Sequence, residues 1–247
     1  MHDYQENDKK LKQYKTLALF DLDHTLIPID SDQQWGLFLT KVGAVDTVSY
    51  AKENERFYRE YQNGVLNIQE FLNFGLNVLT KYSRLQLEIW QKQYIETIIK
   101  PNIKPQAQNL VCSVKETGAI CILVTATNSF VGLPIAKLLG FDEHHLISTE
   151  PNTEDNCPWY TTKSPFTGTV LGIPSFQAGK VTRIEEWMLK NRYTKQCFNT
   201  IYAYSDSHND IPMLEWANMP IATNPDAKMH EHALKNYWPI LSLFDFK

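Results

Sequence analysis

Asp21 and Asp23, with Thr25 two residues on, follow directly on the apolar run Thr16-Leu17-Ala18-Leu19-Phe20. Side chains of an extended chain repeat every two residues, so if the chain stays extended past Phe20 both carboxylates point to one side and share one pocket. Carboxylates held together resist joint ionisation unless a cation sits between them or one keeps its proton. The spacing therefore points to a bound metal ion, to acid/base chemistry, or to both, and the same residues would alternatively suit a turn or an N-cap. A second acidic pair, Asp206 and Asp210, follows the run Ile201-Tyr202-Ala203-Tyr204. Placed opposite the first pair, it would complete an oxygen-rich site suited to Mg²⁺. Thr125 comes just after Cys121-Ile122-Leu123-Val124. A hydroxyl there, beside the free N–H groups of a helix start, would suit an anion such as phosphate, although Thr and Asn are also common N-caps. Lys180, after Gly179, opens another helix; a solitary Lys is by default a solvated residue.

The elements that must position these residues are legible as well. Thr16–Phe20 is apolar at every position, as expected of a strand buried on both faces of a parallel sheet. Further strands are expected over 119–124, 146–148, 200–204 and 219–222, alternating with helices that end near Gly118 and Gly140 or span about 180–190 and 226–235. Residues 150–176 carry most of the remaining turn signals and read as a loop or small hairpin. Residues 31–100 differ. Asp46, Asn67 and Ser83 are spaced as N-caps of successive helices, and Asn67 with Glu70 has capping-box spacing. The chain thus predicts an α/β fold, a doubly wound Rossmann-like parallel sheet at 1–30 and 103–247, interrupted by a helical segment at 31–102. Residues 1–14 are expected to form a mobile polar tail.

In the order strand–DxDxT, strand–Thr, Gly-Lys, strand–DxxxD, these residues resemble the four motifs of the haloacid dehalogenase-like (HAD) superfamily. Phe20-Asp21-Leu22-Asp23-His24-Thr25-Leu26 is similar to its phosphoserine-phosphatase-like subclass IB, and the helical insertion looks like the C1 cap of that subclass. The resemblance covers about 16–225, with one departure: Ser205 stands where many relatives have Gly. It implies that Asp21 is the nucleophile that becomes an aspartyl-phosphate, and that Asp23 is the general acid and base. Mg²⁺ would then be held by the Asp21 carboxylate, the Asp23 backbone carbonyl and Asp206, with Asp210 supporting the metal waters. Thr125 and Asn209 would bind phosphate while Lys180 orients Asp21. The implied activity is a Mg²⁺-dependent phosphomonoesterase acting on a small metabolite, with phosphoserine and histidinol phosphate as candidates. Both carry an amine, which Asp30 could meet, although an acid at that place is by default a turn residue. A phosphotransferase or phosphomutase, or a non-catalytic phosphate-binding protein, is the alternative.

The histidines add no metal site. A hard Mg²⁺ prefers oxygen, so His208 is expected to be a neighbour of the site and His24 a structural residue. His230 and His232, two apart on a helix, do not face one another. The aromatic residues of the insertion, Trp35, Phe57, Tyr58, Phe71, Phe74, Trp90 and Tyr94, are expected mainly in its core, with a minority lining the substrate pocket. The 247 residues, 43% hydrophobic and 21% charged, describe a globular protein with a substantial core. A net charge of −4 gives no support to a nucleic-acid partner. Cys112, Cys121, Cys157 and Cys197 form no close pair, and no segment has the length of a membrane span, so a reduced, cytoplasmic protein is expected. Oligomeric state is left open.

Overall fold

The computed structural model describes residues 16–244; the tail expected at 1–14 lies outside them. Strand β1 (Thr16–Phe20) is followed by α1 (Ser31–Lys41), α2 (Thr47–Asn63), α3 (Ile68–Leu79), α4 (Arg84–Tyr94) and the short α5 (Lys100–Asn102), with a π-helical turn at Ile95–Ile99 joining the last two. Then come α6 (Pro105–Glu116), β2 (Ile120–Asn128), α7 (Ser129–Leu138), β3 (Leu146–Thr149), β4 (Pro151–Thr153) and β5 (Phe166–Val170). The chain closes with α8 (Ala178–Lys190), β6 (Thr200–Ser205), α9 (Ile211–Trp216), β7 (Met219–Thr223), α10 (Ala227–Lys235) and β8 (Ile240–Leu241). One sheet runs β3-β2-β1-β6-β7-β8, and every pairing in it is parallel. This is the expected doubly wound α/β fold.

The apolar run of β1 has a direct cause. Leu17 and Leu19 belong to the core under α8 and α9, with Ile184, Met188 and Met213. Ala18 and Phe20 belong to the opposite core, with Trp35, Leu76, Tyr94 and Phe130. A strand covered on both faces has no polar side to show. Register places the chemistry: Phe20 lies opposite Leu123 of β2 and Tyr204 of β6, so Asp21, Thr125 and Asp206 all emerge at the same carboxyl edge. Ligands of open α/β sheets bind along that edge.

The N-caps formed as expected. Asp46 accepts the amide of Ser49 and Ser83 that of Gln86, while Asn67 accepts those of Gln69 and Glu70. The Glu70 carboxylate meets Arg56 Nη2 at 2.7 Å. The buried residues of the helical segment are continuous with one face of the sheet: Leu72, Leu76, Leu87 and Tyr94 pack in the same core as Phe20 and Phe130. The expected excursion at 150–176 contains the antiparallel pair β4–β5, and β5 lies along α3. One boundary moves. β2 runs on to Asn128, pairing with Thr149 after a register shift, so α7 starts later than the 119–124 strand implies. All four cysteines are free. Among the described residues, no helix is long and apolar enough to cross a membrane.

Candidate active site

Lys180 reaches the sheet edge because the turn before α8 is very tight. Gly179 N donates to Phe176 O, and a Cβ on Gly179 would stand 2.2 Å from Pro174 O, a clash with backbone that only glycine avoids. Lys180 is 2% exposed, and its Nζ donates to Asp21 Oδ1 and to Asp210 Oδ2, both at 2.6 Å. The default of a solvated surface lysine is therefore overturned by the pairing. Burial alone would lower the Lys180 ammonium, but the charges of Asp21 and Asp210 outweigh it and hold it above the usual lysine value. Ser205, the departure from glycine, donates to Asp210 Oδ2 at 2.7 Å.

Thr25 ties the two acidic pairs together. Its hydroxyl accepts the Asp206 amide at 2.9 Å and lies 3.1 Å from Asp21 Oδ2 and 3.0 Å from Asp206 Oδ1. One hydroxyl carries one hydrogen, so at most one of these carboxylate oxygens receives it. Burial pushes the Asp21 carboxyl up to about 7, against the pull of Lys180 and with the charges of Asp210 and Asp23 adding to the rise. Burial, then the charges of Asp21 and Asp210, raises Asp206 well above its ordinary value. When ionised, Asp21, Asp206 and Asp210 oppose a single ammonium and leave two negative charges in a buried site. That set fits a hard divalent cation held by oxygen. Among the described residues, no three His, Cys, Asp or Glu side chains converge on a metal position. A cation here would rely on two carboxylates, Asp21 and Asp206, with main-chain and water oxygens.

Asp23 lines the same cleft as Asp21. Its Oδ1 accepts the Ser31 amide at 2.7 Å and its Oδ2 accepts the Thr127 hydroxyl at 2.8 Å. Burial, then the charge of Asp30, raises Asp23 to about 6, which keeps it able to gain or lose a proton near neutrality. Thr125 is fully buried and its hydroxyl accepts the Thr127 amide at 3.1 Å; the cleft wall is made by Ala126 and Thr127. Because α7 starts at Ser129, capped by Asn128, its free amides lie beyond Thr125 and not around it. Asp30 lines the cleft and also caps α1, accepting the Gln33 amide at 2.8 Å. Phe57, Tyr58 and Phe71 line the cleft with Tyr61 and Phe176.

Asn209 is engaged by its neighbours. Its amide donates to Tyr61 O and its oxygen accepts from Gln177, each at 3.0 Å. Gln177 holds a φ of 48°, unusual outside glycine, and its side chain reaches the loop after β6. The end of α2 thus sits on that loop, where Lys228 Nζ also donates to Asn63 O at 2.8 Å. His208 is engaged beside the site: its Nδ1 meets Asp226 Oδ2 at 2.7 Å, and its buried Nε2 faces Gly64. Gly64 has a φ of 76°, and a Cβ there would lie 2.6 Å from His208 Nε2. Gly64→Ala is therefore expected to cost about 1–2 kcal/mol in a urea unfolding titration, from backbone strain plus the displaced imidazole. A change within error would show that α2 does not seat on this loop in solution.

Sequence reasoning missed Thr127, Tyr61 and Gln177. The second hydroxyl of Thr125-Ala126-Thr127 was the available signal for the first; nothing local marked the other two. A buried acid held by an ammonium, a second acid near neutrality and an oxygen-rich edge are the parts from which a nucleophile, a proton donor and cation ligands could be drawn.

The haloacid dehalogenase-like hydrolase family matches residues 18–215. A histidinol-phosphatase of Neisseria meningitidis serogroup C is 38% identical over 228 residues, covering 92% of this chain and 99% of that protein. A protein of unknown function from Bordetella pertussis, solved by crystallography, is 38% identical with a TM-score of 0.85, covering 93% of this chain and 99% of the other. A phosphoserine phosphatase, solved as a phospho-aspartyl intermediate analogue, shares the fold at 20% identity and a TM-score of 0.61, covering 93% and 94%. Coverage, identity and the placement of the motifs agree: the chain belongs to the haloacid dehalogenase-like hydrolase family, as a member of its phosphatase type.

Proposed function

We propose that this chain is a Mg²⁺-dependent phosphomonoesterase for a small, amine-bearing phosphate ester that lacks a carboxylate, of the histidinol phosphate type. The observation that carries the reading is the wall of the cleft: Asp21, Asp23, Asp30 and Asp32 line it, and among the described residues its lining contains no Lys or Arg. An ammonium group finds a carboxylate there, whereas the carboxylate of phosphoserine would face like charge with no basic partner. The 38% identity to a histidinol-phosphatase points the same way.

Asp21 attacks phosphorus as the bond to the ester oxygen breaks, and Asp23 gives that oxygen its proton. Asp23 then takes a proton from water as the water oxygen bonds phosphorus and the Asp21–phosphoryl bond breaks. Lys180 holds Asp21 in place. Asp21, Asp206 and the Asp23 carbonyl would hold Mg²⁺, with Asp210 behind them. When bound, the ion neutralises charge on the transferring phosphoryl group. Thr125, buried behind the wall of Ala126 and Thr127, and Asn209 would take phosphate oxygens once that wall shifts and Asn209 exchanges its bond to Tyr61 for substrate. Residues 31–102 act as a cap that covers the ester and excludes water.

The test is a panel assay with Mg²⁺. Histidinol phosphate and O-phosphoethanolamine should exceed phosphoserine in kcat/KM by at least about tenfold. A preference for phosphoserine would contradict the reading. EDTA should abolish turnover and Mg²⁺ restore it, and Asp206→Ala should raise the Mg²⁺ needed for half-activity by at least about tenfold, far more than His208→Ala. Restoration by Zn²⁺ alone, lost on changing His208, would overturn the oxygen-ligand assignment. Asp30→Ser keeps an N-cap hydroxyl while removing the charge. It should lower kcat/KM for amine-bearing phosphates relative to p-nitrophenyl phosphate by about 2 kcal/mol, or some thirtyfold. Equal losses on both would make Asp30 a support of the loop alone.

A further inference from the structure

Asp32 stands between two cavities. The cleft before Asp21 and Asp23 and an adjoining space, about 550 and 430 Å³ with the open solvent at their mouths included, share Asp32, Asn54 and Phe71 as walls. Asp30 lines only the first, with the catalytic carboxylates, whereas Asp32 lines both. That space is walled by the rings of Trp35, Tyr50 and Phe74, with Tyr50 and Phe74 stacked at a centroid separation of 4.3 Å. Among the described residues, neither lining contains a Lys or Arg.

Asp32 Oδ1 accepts from Asn128 Nδ2 at 3.0 Å, a bond that joins the first turn of α1 to the end of β2 and fixes the carboxylate at the junction. The charged and titratable groups facing it are Asp30, Asp23 and the phenols of Tyr50 and Tyr94, none of which supplies a cation. A carboxylate offers about four acceptor positions, and the side-chain and main-chain N–H groups of Asn128 take only part of them. Its surroundings say what partner fits: flat rings on the far side, a carboxylate at the neck, and an ester phosphate anchored at the other end. A planar group with an N–H donor matches all three, stacking on the aromatic wall while it donates to Asp32.

We propose that Asp32 is a specificity-determining residue that binds a second nitrogen of the substrate, an N–H on a flat ring such as imidazole seated in the aromatic cavity, while Asp30 takes the amine. This rests on the amine-bearing, carboxylate-free substrate class proposed above. A site built to hydrogen-bond a substrate N–H discriminates strongly against the analogue that lacks it.

The experiment compares histidinol phosphate, which has ring and amine, with O-phosphoethanolamine, which has the amine alone, and with phosphoserine. Wild-type enzyme should favour histidinol phosphate over O-phosphoethanolamine by at least about tenfold in kcat/KM. Asp32→Asn, which keeps the size of the side chain, should cut that ratio about tenfold or more, chiefly through KM for histidinol phosphate. A wild-type ratio near one would overturn the proposal without any variant being made. So would equal losses on the two amines, which would leave Asp32 as an acid that favours the N-terminus of α1. A wild-type preference for phosphoserine over O-phosphoethanolamine would instead defeat the substrate class, a separate outcome read from a different pair.

Discussion

Asp21→Asn is expected to lower kcat by roughly three orders of magnitude or more, about 4 kcal/mol of barrier, with the fold intact. Asparagine keeps the shape of the side chain and an oxygen for the Lys180 ammonium, which lies 2.6 Å from Asp21 Oδ1 in the native site. What it loses is the charge that attacks phosphorus. The variant relieves one of several buried carboxylates, so its unfolding midpoint in urea should be unchanged or higher. Steady-state turnover of p-nitrophenyl phosphate and of histidinol phosphate decides the matter. Retention of most activity would remove Asp21 from the chemistry and leave Asp23 or a bound water as the attacking group.

Lys180→Met should be the most destabilising single change in the site, by about 3–5 kcal/mol, because removing one member of a buried ion pair leaves the rest uncompensated. Here two carboxylates depend on one ammonium, each at 2.6 Å, with every partner almost wholly buried. Methionine fills most of the volume, so the loss is one of charge and not of packing. The pair can then relieve itself only by taking up a proton, which means that its affinity for protons in the folded state rises above that of the unfolded chain. Stability from such a group is present below the unfolded value, 3.8 for Asp21, and is lost as pH climbs through the raised one. The deficit should therefore be larger near pH 8 than near pH 5 in urea titrations at each pH. Adding Asp210→Asn should restore part of the stability but none of the activity, since Asp21 would still lack its ammonium. A deficit below about 1 kcal/mol at every pH would mean that the triad is solvated in solution.

What could be read from the sequence was what local pattern determines. The apolar run before Asp21 has only one comfortable home, a strand covered on both faces, and Leu17 and Ala18 do face opposite cores. The order of Asp21, Thr125, Lys180 and Asp206 along alternating strands and helices put them at one sheet edge. Caps at Asp46, Asn67 and Ser83 were legible because an N-cap bonds its own next turn. The rest depended on distant partners. Thr127 meets Asp23 across 104 residues, through a strand that runs past its apolar stretch to pair Asn128 with Thr149. Tyr61 O meets Asn209 only because α2 ends at Gly64 directly over the loop after β6. Asp32 reads from sequence as an ordinary acid in a first helical turn; only the packing of α1 against Asn128 and Asn54 sets it between two cavities. The shared core of Leu76, Tyr94 and Phe20 was likewise invisible to periodicity, which reports that a face is buried but not against what.

The central claim, that the carboxylate after β1 carries the phosphoryl group, is tested most directly by trapping it. Enzyme mixed with Mg²⁺ and histidinol phosphate, quenched in acid within a single turnover and digested, should yield a peptide bearing one phosphoryl group on Asp21, released by hydroxylamine and absent from Asp21→Asn. A stable phosphoryl group on a histidine or serine, or turnover with no phosphorylated peptide at any quench time, would contradict the account.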